Sequence, residues 1–325
     1  MKKNKIILIF LLSFIFIFTA CANKNENMAK DNKLKIYTSF YPMYDFTKKI
    51  VGDKADVINI VPVGSEPHDY ELTTADRKNF EKADLIVYNG AGMEEWIDDL
   101  MKGMNKEIFV NSSIGIDLIE GHSHTDDEEH EDDEDHEDDD HNRDNHDKEV
   151  HHLDPHIWLS PKNAIKQLTN IYEAVIKIDA VNSTYYKENL DKAINDIKKL
   201  DEEYKTKLEQ HKGKTIVVSH EAFGYICNDY GINQIGIEGL SPDTEPSPKK
   251  MVSILEFCKK NNVKVIFFEE LVSPKIADTI AKELGVETKV LNPIEGLSEK
   301  ELKAGNDYIS TMRENLNSII YSFNK

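Results

Sequence analysis

The sequence predicts an α/β protein of two lobes, each a mostly parallel sheet flanked by helices, joined by one long rigid α-helix. Three observations carry this expectation. Short apolar runs alternate with amphipathic helical stretches in both halves of the chain, the pattern of layered parallel sheets. Between the halves, residues 182–211 keep one helical period with no Gly or Pro. About 290 residues follow the N-terminal segment, enough for two modest cores.

At the N-terminus, Lys2, Lys3 and Lys5 precede an apolar run from Ile6 to Phe18, 13 residues long. A membrane-spanning helix needs about 20, so residues 1–20 read as a secretory signal peptide. Ala20 directly before Cys21 resembles a bacterial lipobox, with Phe18 where Leu is usual. Cys21 is therefore the expected lipidation site, and residues 21–32 form a polar, lipid-anchored tether with too little apolar content to fold.

The first lobe is expected at 33–181, with strands at 35–39, 57–61, 85–88 and 108–110 and helices at 43–51, 74–82 and 93–101. Ser160 followed by Pro161 makes a cap and first-turn pair that opens a helix to about residue 178. The linking helix follows at 182–211. Leu190, Ile194, Ile197, Leu200, Tyr204 and Leu208 recur every three or four residues along it, one apolar stripe on a strut roughly 45 Å long. The second lobe, 212–325, has expected strands at 215–218, 234–237, 263–268 and 288–291. Its helices fall at 222–230, 248–261, 274–284 and 307–321. Cys227 and Cys258 sit in apolar helical contexts, which leaves a disulfide and two buried free thiols both open.

The net charge is -20, but residues 122–152 hold sixteen Asp or Glu against Arg143 and Lys148, so about -14 of it lies there and -6 elsewhere. The remaining body has no basic stripe of the kind nucleic-acid binding requires. The insertion at 121–152 is nearly free of apolar side chains and is expected to be a disordered loop. Eight of the twelve histidines lie in it: His122, His124, His130, His136, His141, His146, His151 and His152. Imidazoles interspersed with carboxylates suit weak, multivalent capture of borderline-soft divalent ions.

An ordered metal site must draw on the other four histidines. His211 ends the linking helix beside Lys212 and reads as a helix-end cation. His68, in Glu66-Pro67-His68-Asp69-Tyr70, follows a strand end, where ligand loops of parallel sheets cluster. His156 lies in Asp154-Pro155-His156-Ile157-Trp158, between prolines that restrict its direction. His220 follows the apolar strand ending at Ser219. Glu269 and Glu270 end the apolar run Val265-Ile266-Phe267-Phe268. Three neutral imidazoles and one carboxylate, two ligands from each half, make a four-coordinate site that suits Zn(II).

These segments resemble the metal-binding lipoproteins of zinc and manganese ABC transporters, particularly the zinc-specific ones, over nearly the whole chain from Lys33. The matching stretches are Pro-His-Asp-Tyr-Glu at Pro67, Asp-Pro-His-Ile-Trp at Asp154, Ser-His-Glu-Ala-Phe-Gly-Tyr at Ser219 and Phe-Phe-Glu-Glu at Phe267. The resemblance implies ligands at His68, His156, His220 and Glu269. The fourth position varies across the family, so Glu270, Glu66 or a water is an alternative to Glu269. It also implies an extracytoplasmic, monomeric, lipid-anchored carrier that passes zinc to a permease and its ATPase. A manganese-binding homologue and a surface adhesin with a structural metal are the alternatives. A zinc enzyme is not expected: His220-Glu221 begins like the zincin motif, but Gly224 stands where its second histidine belongs.

Overall fold

Among the described residues, eight short parallel strands form two four-stranded sheets. The protein is represented by a computed structural model that describes residues 33–121, 153–242 and 246–325. The signal segment, the Cys21 tether and the acidic, histidine-rich insertion lie outside the described residues. The first sheet contains β1 (Leu34–Thr38), β2 (Ala55–Asn59), β3 (Leu85–Tyr88) and β4 (Phe109–Asn111), in the order β2-β1-β3-β4. The second contains β5 (Thr215–Val218), β6 (Asn233–Gly236), β7 (Val265–Phe268) and β8 (Glu287–Val290), in the order β6-β5-β7-β8. Relative to chain order the two sheets are wound identically.

The helices of the first lobe are α1 (Tyr41–Val51), α2 (Thr74–Phe80), α3 (Ile97–Met101) and α4 (Pro161–Ile178). The linking helix is α5 (Ser183–Leu208). The second lobe carries α6 (Gly224–Tyr230), α7 (Pro248–Lys260), α8 (Lys275–Leu284), α9 (Glu299–Ala304) and α10 (Tyr308–Asn324). None of the described helices is long and apolar enough to cross a membrane.

The uniformly apolar strands follow from coverage of both sheet faces. Ile36 and Val87 belong to the main core, whereas their neighbours Tyr37 and Ile86 pack with Phe80 and Leu100 on the other face. The second sheet repeats this alternation: Ile216, Val218, Val265 and Phe267 join the main core, and Val217 and Ile266 join Ile254 and Ile280. Side chains that alternate across a strand thus supply two cores at once.

Helix α5 runs through the main core rather than bridging open space. Its 26 residues span about 39 Å, and single 3-10 turns at Ala180–Asn182 and Glu209–His211 account for the rest of the expected length. Tyr186, Leu190, Ala193, Ile197, Leu200, Tyr204 and Leu208 form its buried stripe. On the first-lobe side, Asn189 Nδ2 donates to Ile50 O on α1 at 2.9 Å. On the other, Tyr204 OH donates to Met312 O on α10 at 2.6 Å, and Arg313 bonds Glu203 through Nε and a terminal nitrogen at 3.0–3.1 Å. We expect Ile197→Ala to cost about 2–5 kcal/mol of unfolding free energy, read from urea melts, with zinc stoichiometry unchanged.

Three local features depart from the expectations, and one open alternative is resolved. Helix α3 starts at Ile97 rather than 93, because Gly90, Ala91 and Gly92 all take positive φ (80°, 56° and 88°) and turn the chain first. Helix α9 was not expected, although Ser298 and Glu301 form a reciprocal capping box with the Ser-x-x-Glu signature. His211 is no exposed helix-end cation: it is 3% exposed and its ring lies 5.2 Å from that of Phe323. Burial first, then the Lys214 charge, pushes its pKa down and favours the neutral ring. Cys227 and Cys258 are both buried and free.

Candidate metal centre

Loops at the carboxyl ends of the strands deliver the site. His68 lies in the loop after β2, where its backbone N–H donates to Glu66 Oε1 at 3.2 Å. His156 lies in a segment pinned on both sides: Asp154 N–H donates to Ile119 O at 2.9 Å, and Asn89 Nδ2 donates to Pro155 O at 2.9 Å. His220 is two residues past β5, with the next residue's N–H donating to Gly239 O at 2.7 Å. Glu295 comes from the loop after β8. His220 and Glu269 follow β5 and β7, the adjacent strands between which the winding of the second sheet reverses. Such a switch point is where open α/β sheets hold ligands.

His68 Nε2, His156 Nε2, His220 Nε2 and Glu295 Oε1 converge. His156 Nε2 lies 3.3 Å from the His68 nitrogen and 3.2 Å from the His220 nitrogen. The Glu295 oxygen is 3.3, 3.2 and 3.3 Å from His68, His156 and His220 respectively. The four residues' candidate ligand atoms all lie within 4.8 Å of one another. A regular tetrahedron with edges of about 3.3 Å, the length of the five separations above, has its centre about 2.0 Å from each vertex, the Zn–N and Zn–O bond length. Two ligands precede α5 and two follow it.

The Nδ1 atoms of His156 and His220 are also engaged. Asp154 Oδ1 accepts from the His156 backbone N–H at 2.9 Å and lies 2.8 Å from its Nδ1. Glu269 Oε1 lies 2.7 Å from His220 Nδ1. Each carboxylate fixes the tautomer that leaves Nε2 with its lone pair toward the centre. Glu269, the carboxylate expected as fourth ligand, therefore sits behind His220, its Oε1 occupied by the far side of the ring. Glu295 stands in the place expected for it. Glu270 is exposed and turned to Glu301; that hydrogen bond, with burial second, raises its pKa to about 7. Glu66 is close by, its pKa pushed up to about 9 by burial and then by the Glu295 charge. Asp69 is exposed.

Charge balance explains the titration of the site. Burial by itself lowers His156, but Asp154 and Glu295 outweigh it and raise the imidazole. His220 is raised further against the same burial, by Glu269 and Glu295. Glu295 moves the opposite way: burial favours its neutral form, yet His220, His68 and His156 hold it well below the usual carboxylate range. Three carboxylates around buried imidazoles call for positive charge, which protons or a divalent cation can supply.

Sequence reasoning missed Glu295, although the rule that drew attention to His68, a ligand loop at a parallel strand's end, applies equally to Asn292-Pro293-Ile294-Glu295-Gly296 after β8. The residue before it is unusual. Ile294 is fully buried with φ 61°, a left-handed conformation that costs a β-branched residue about 1–3 kcal/mol. The most open side of the site is His68, 11% exposed at its side chain against 0–1% for the other three. It borders a cavity of about 620 Å³ lined by Tyr70, Trp96 and Ser241 among others. We expect Glu269→Ala, which removes the support behind His220, to weaken zinc binding about 10–100-fold in a chelator competition.

The family model described as "Zinc-uptake complex component A periplasmic" matches residues 36–321. The high-affinity zinc uptake system protein ZnuA of Bacillus subtilis is 44% identical over 317 residues, covering 96% of this chain and 95% of that protein. The zinc-binding lipoprotein AdcA of Streptococcus pneumoniae strain R6 is 37% identical over 322 residues, 98% of this chain but 60% of the longer relative. Among solved structures, the Zn(II)-bound ZnuA-like domain of S. pneumoniae AdcA aligns with a TM-score of 0.73 at 34% identity, covering 90% of this chain and all of that domain.

Proposed function

Because the chain belongs to the zinc-uptake component A family, we propose that it captures Zn(II) between its two lobes and delivers it to an ABC importer. The observation that carries this reading is the set of three Nε2 atoms and one carboxylate oxygen, spaced to surround one ion at zinc–ligand distance. Three nitrogen donors favour zinc over the oxygen-preferring manganese. His68, His156, His220 and Glu295 are the ligands; Asp154 and Glu269 orient the imidazoles behind them. Zinc is the cargo, and a closed four-ligand sphere suits holding it rather than the open position a hydrolase needs.

The zinc-uptake and lipoprotein names of the relatives support the same place and partners here. The protein is anchored outside the cytoplasm through Cys21 and hands zinc to a membrane permease driven by its ATPase. The acidic, histidine-rich insertion feeds zinc to the cleft by weak multivalent binding. Entry and exit run past His68, the least buried ligand. The loading test is zinc titration against a chromophoric chelator, with the protein freed of its first 21 residues and compared with a variant also lacking residues 122–152. One tight zinc should remain after the deletion and only weaker binding should disappear. Loss of the tight zinc with the insertion would refute the cleft assignment.

A further inference from the structure

The loop that bears Glu295 is held by a clamp outside the cluster of ligands. Residues 291–297 are all buried yet form neither helix nor strand, so their backbone polar groups need partners. The first few find them in sequence. Leu291 N–H donates to Phe268 O at 2.9 Å. Asn315, on α10, brackets Asn292 from both sides, accepting from its N–H at 2.9 Å and donating to its carbonyl at 2.6 Å. Asn292 Oδ1 accepts from Ile294 N–H at 2.7 Å.

The carbonyl of Pro293 accepts from Trp158 Nε1 at 2.8 Å. Trp158 is itself fixed: its backbone carbonyl accepts from Tyr308 OH at 2.7 Å, and its ring meets that of Phe40 with centroids 4.9 Å apart. Trp158 lies two residues after His156, and Pro293 lies two residues before Glu295. One indole N–H thus ties together two ligand-bearing loops from opposite sides of the linking helix.

Resting on the reading of the cleft as a zinc site, we infer that Asn315 is a positioning residue for the fourth ligand, with Trp158 as its partner. The two hold the 292–294 backbone so that Ile294 stays left-handed, and that turn aims Glu295 at the imidazoles. Without the clamp the β-branched Ile294 relaxes toward negative φ, and because Gly296 directly follows Glu295, the backbone around that carboxylate can swing. Neither Asn315 nor the Trp158 indole N–H is a ligand. Their effect on zinc passes through Glu295.

The test is a double-mutant cycle on the otherwise intact chain, using Zn(II) with a chromophoric chelator and the visible d–d spectrum of bound Co(II). Asn315→Ala should weaken zinc about 10–100-fold, the range for residues that orient a ligand, and shift the cobalt spectrum toward that of Glu295→Ala. In the Glu295→Ala background the same change should alter affinity by no more than about twofold. An equal loss in both backgrounds, or no loss in the native one, overturns the positioning role while leaving the cleft intact. Wild-type zinc affinity in both Glu295→Ala and His156→Ala would overturn the zinc reading itself. If Asn315→Ala does not fold, Trp158→Phe, which keeps an aromatic ring but removes the donor to Pro293, is read through the same cycle.

Discussion

Replacing His156 with alanine is expected to weaken zinc binding by two to three orders of magnitude. Four-ligand structural zinc sites bind with roughly 10–16 kcal/mol, so one ligand accounts for about 3–4 kcal/mol, or that fold-change. His156 is the most connected of the four: fully buried, with Asp154 behind its Nδ1 and its Nε2 next to those of both other histidines. Its removal leaves Asp154 without its imidazole and replaces a ring nitrogen with a void. Glu295→Ala should fall in the same range, and Glu269→Ala an order of magnitude short of it. Chelator competition on folded variants, checked by circular dichroism, measures all three. Should Glu269→Ala prove as damaging as His156→Ala while Glu295→Ala binds normally, the ligand assignment drawn from the geometry is wrong.

Acidification is the second large effect. Without metal, His156 and His220 hold protons at higher pH than ordinary imidazoles, since their carboxylate neighbours outweigh burial. Zinc must displace those protons, so affinity should fall about 10–100-fold for each pH unit between pH 8 and 6, one or two protons being released per ion. Stability of the metal-free protein runs in the opposite sense. An imidazole raised on folding stabilises fully below its unfolded value of about 6.5, and that contribution is lost as pH rises through the folded value. Glu295, lowered on folding, contributes above about 4.5, and its share is lost as pH falls through its depressed value. The zinc-induced rise in Tm should therefore grow from pH 6 to pH 8, each tenfold gain in affinity adding about 1.4 kcal/mol. Calorimetry with and without zinc at three pH values reads this directly; an increment that shrinks with rising pH would contradict it.

Much of the architecture was legible because it is local. Uniformly apolar runs such as Ile216–Val218 and Val265–Phe268 lie in strands covered on both faces, and the stripe on α5 repeats with a helical period that needs no knowledge of its partners. Ser160 and Pro161 marked the start of α4 by chemistry confined to four residues, with Ser160 Oγ accepting from Asn163 N–H. His68, His156 and His220 stood out because each follows a strand or lies between prolines. His211 misled because the fate of a ring at a helix end depends on what packs over it, here Phe323, more than a hundred residues later.

The choice between carboxylates was of the same non-local kind. Glu269 and Glu295 both follow strands of the second sheet, but Glu269 directly ends the apolar run Val265–Phe268 whereas Glu295 lies five residues past β8, so the sequence pointed to the first and passed over the second. Which oxygen reaches the centre depends on the side from which each loop approaches His220, and on a left-handed turn at Ile294 held by Asn315 and Trp158. Periodicity and strand-end chemistry are written in neighbouring residues, so the sequence alone sufficed for the two-lobed α/β plan and the three imidazoles. Position to within an ångström is a sum over contacts from distant parts of the chain, so only the folded structure separated the carboxylate that joins the three imidazoles from the one that stands behind His220.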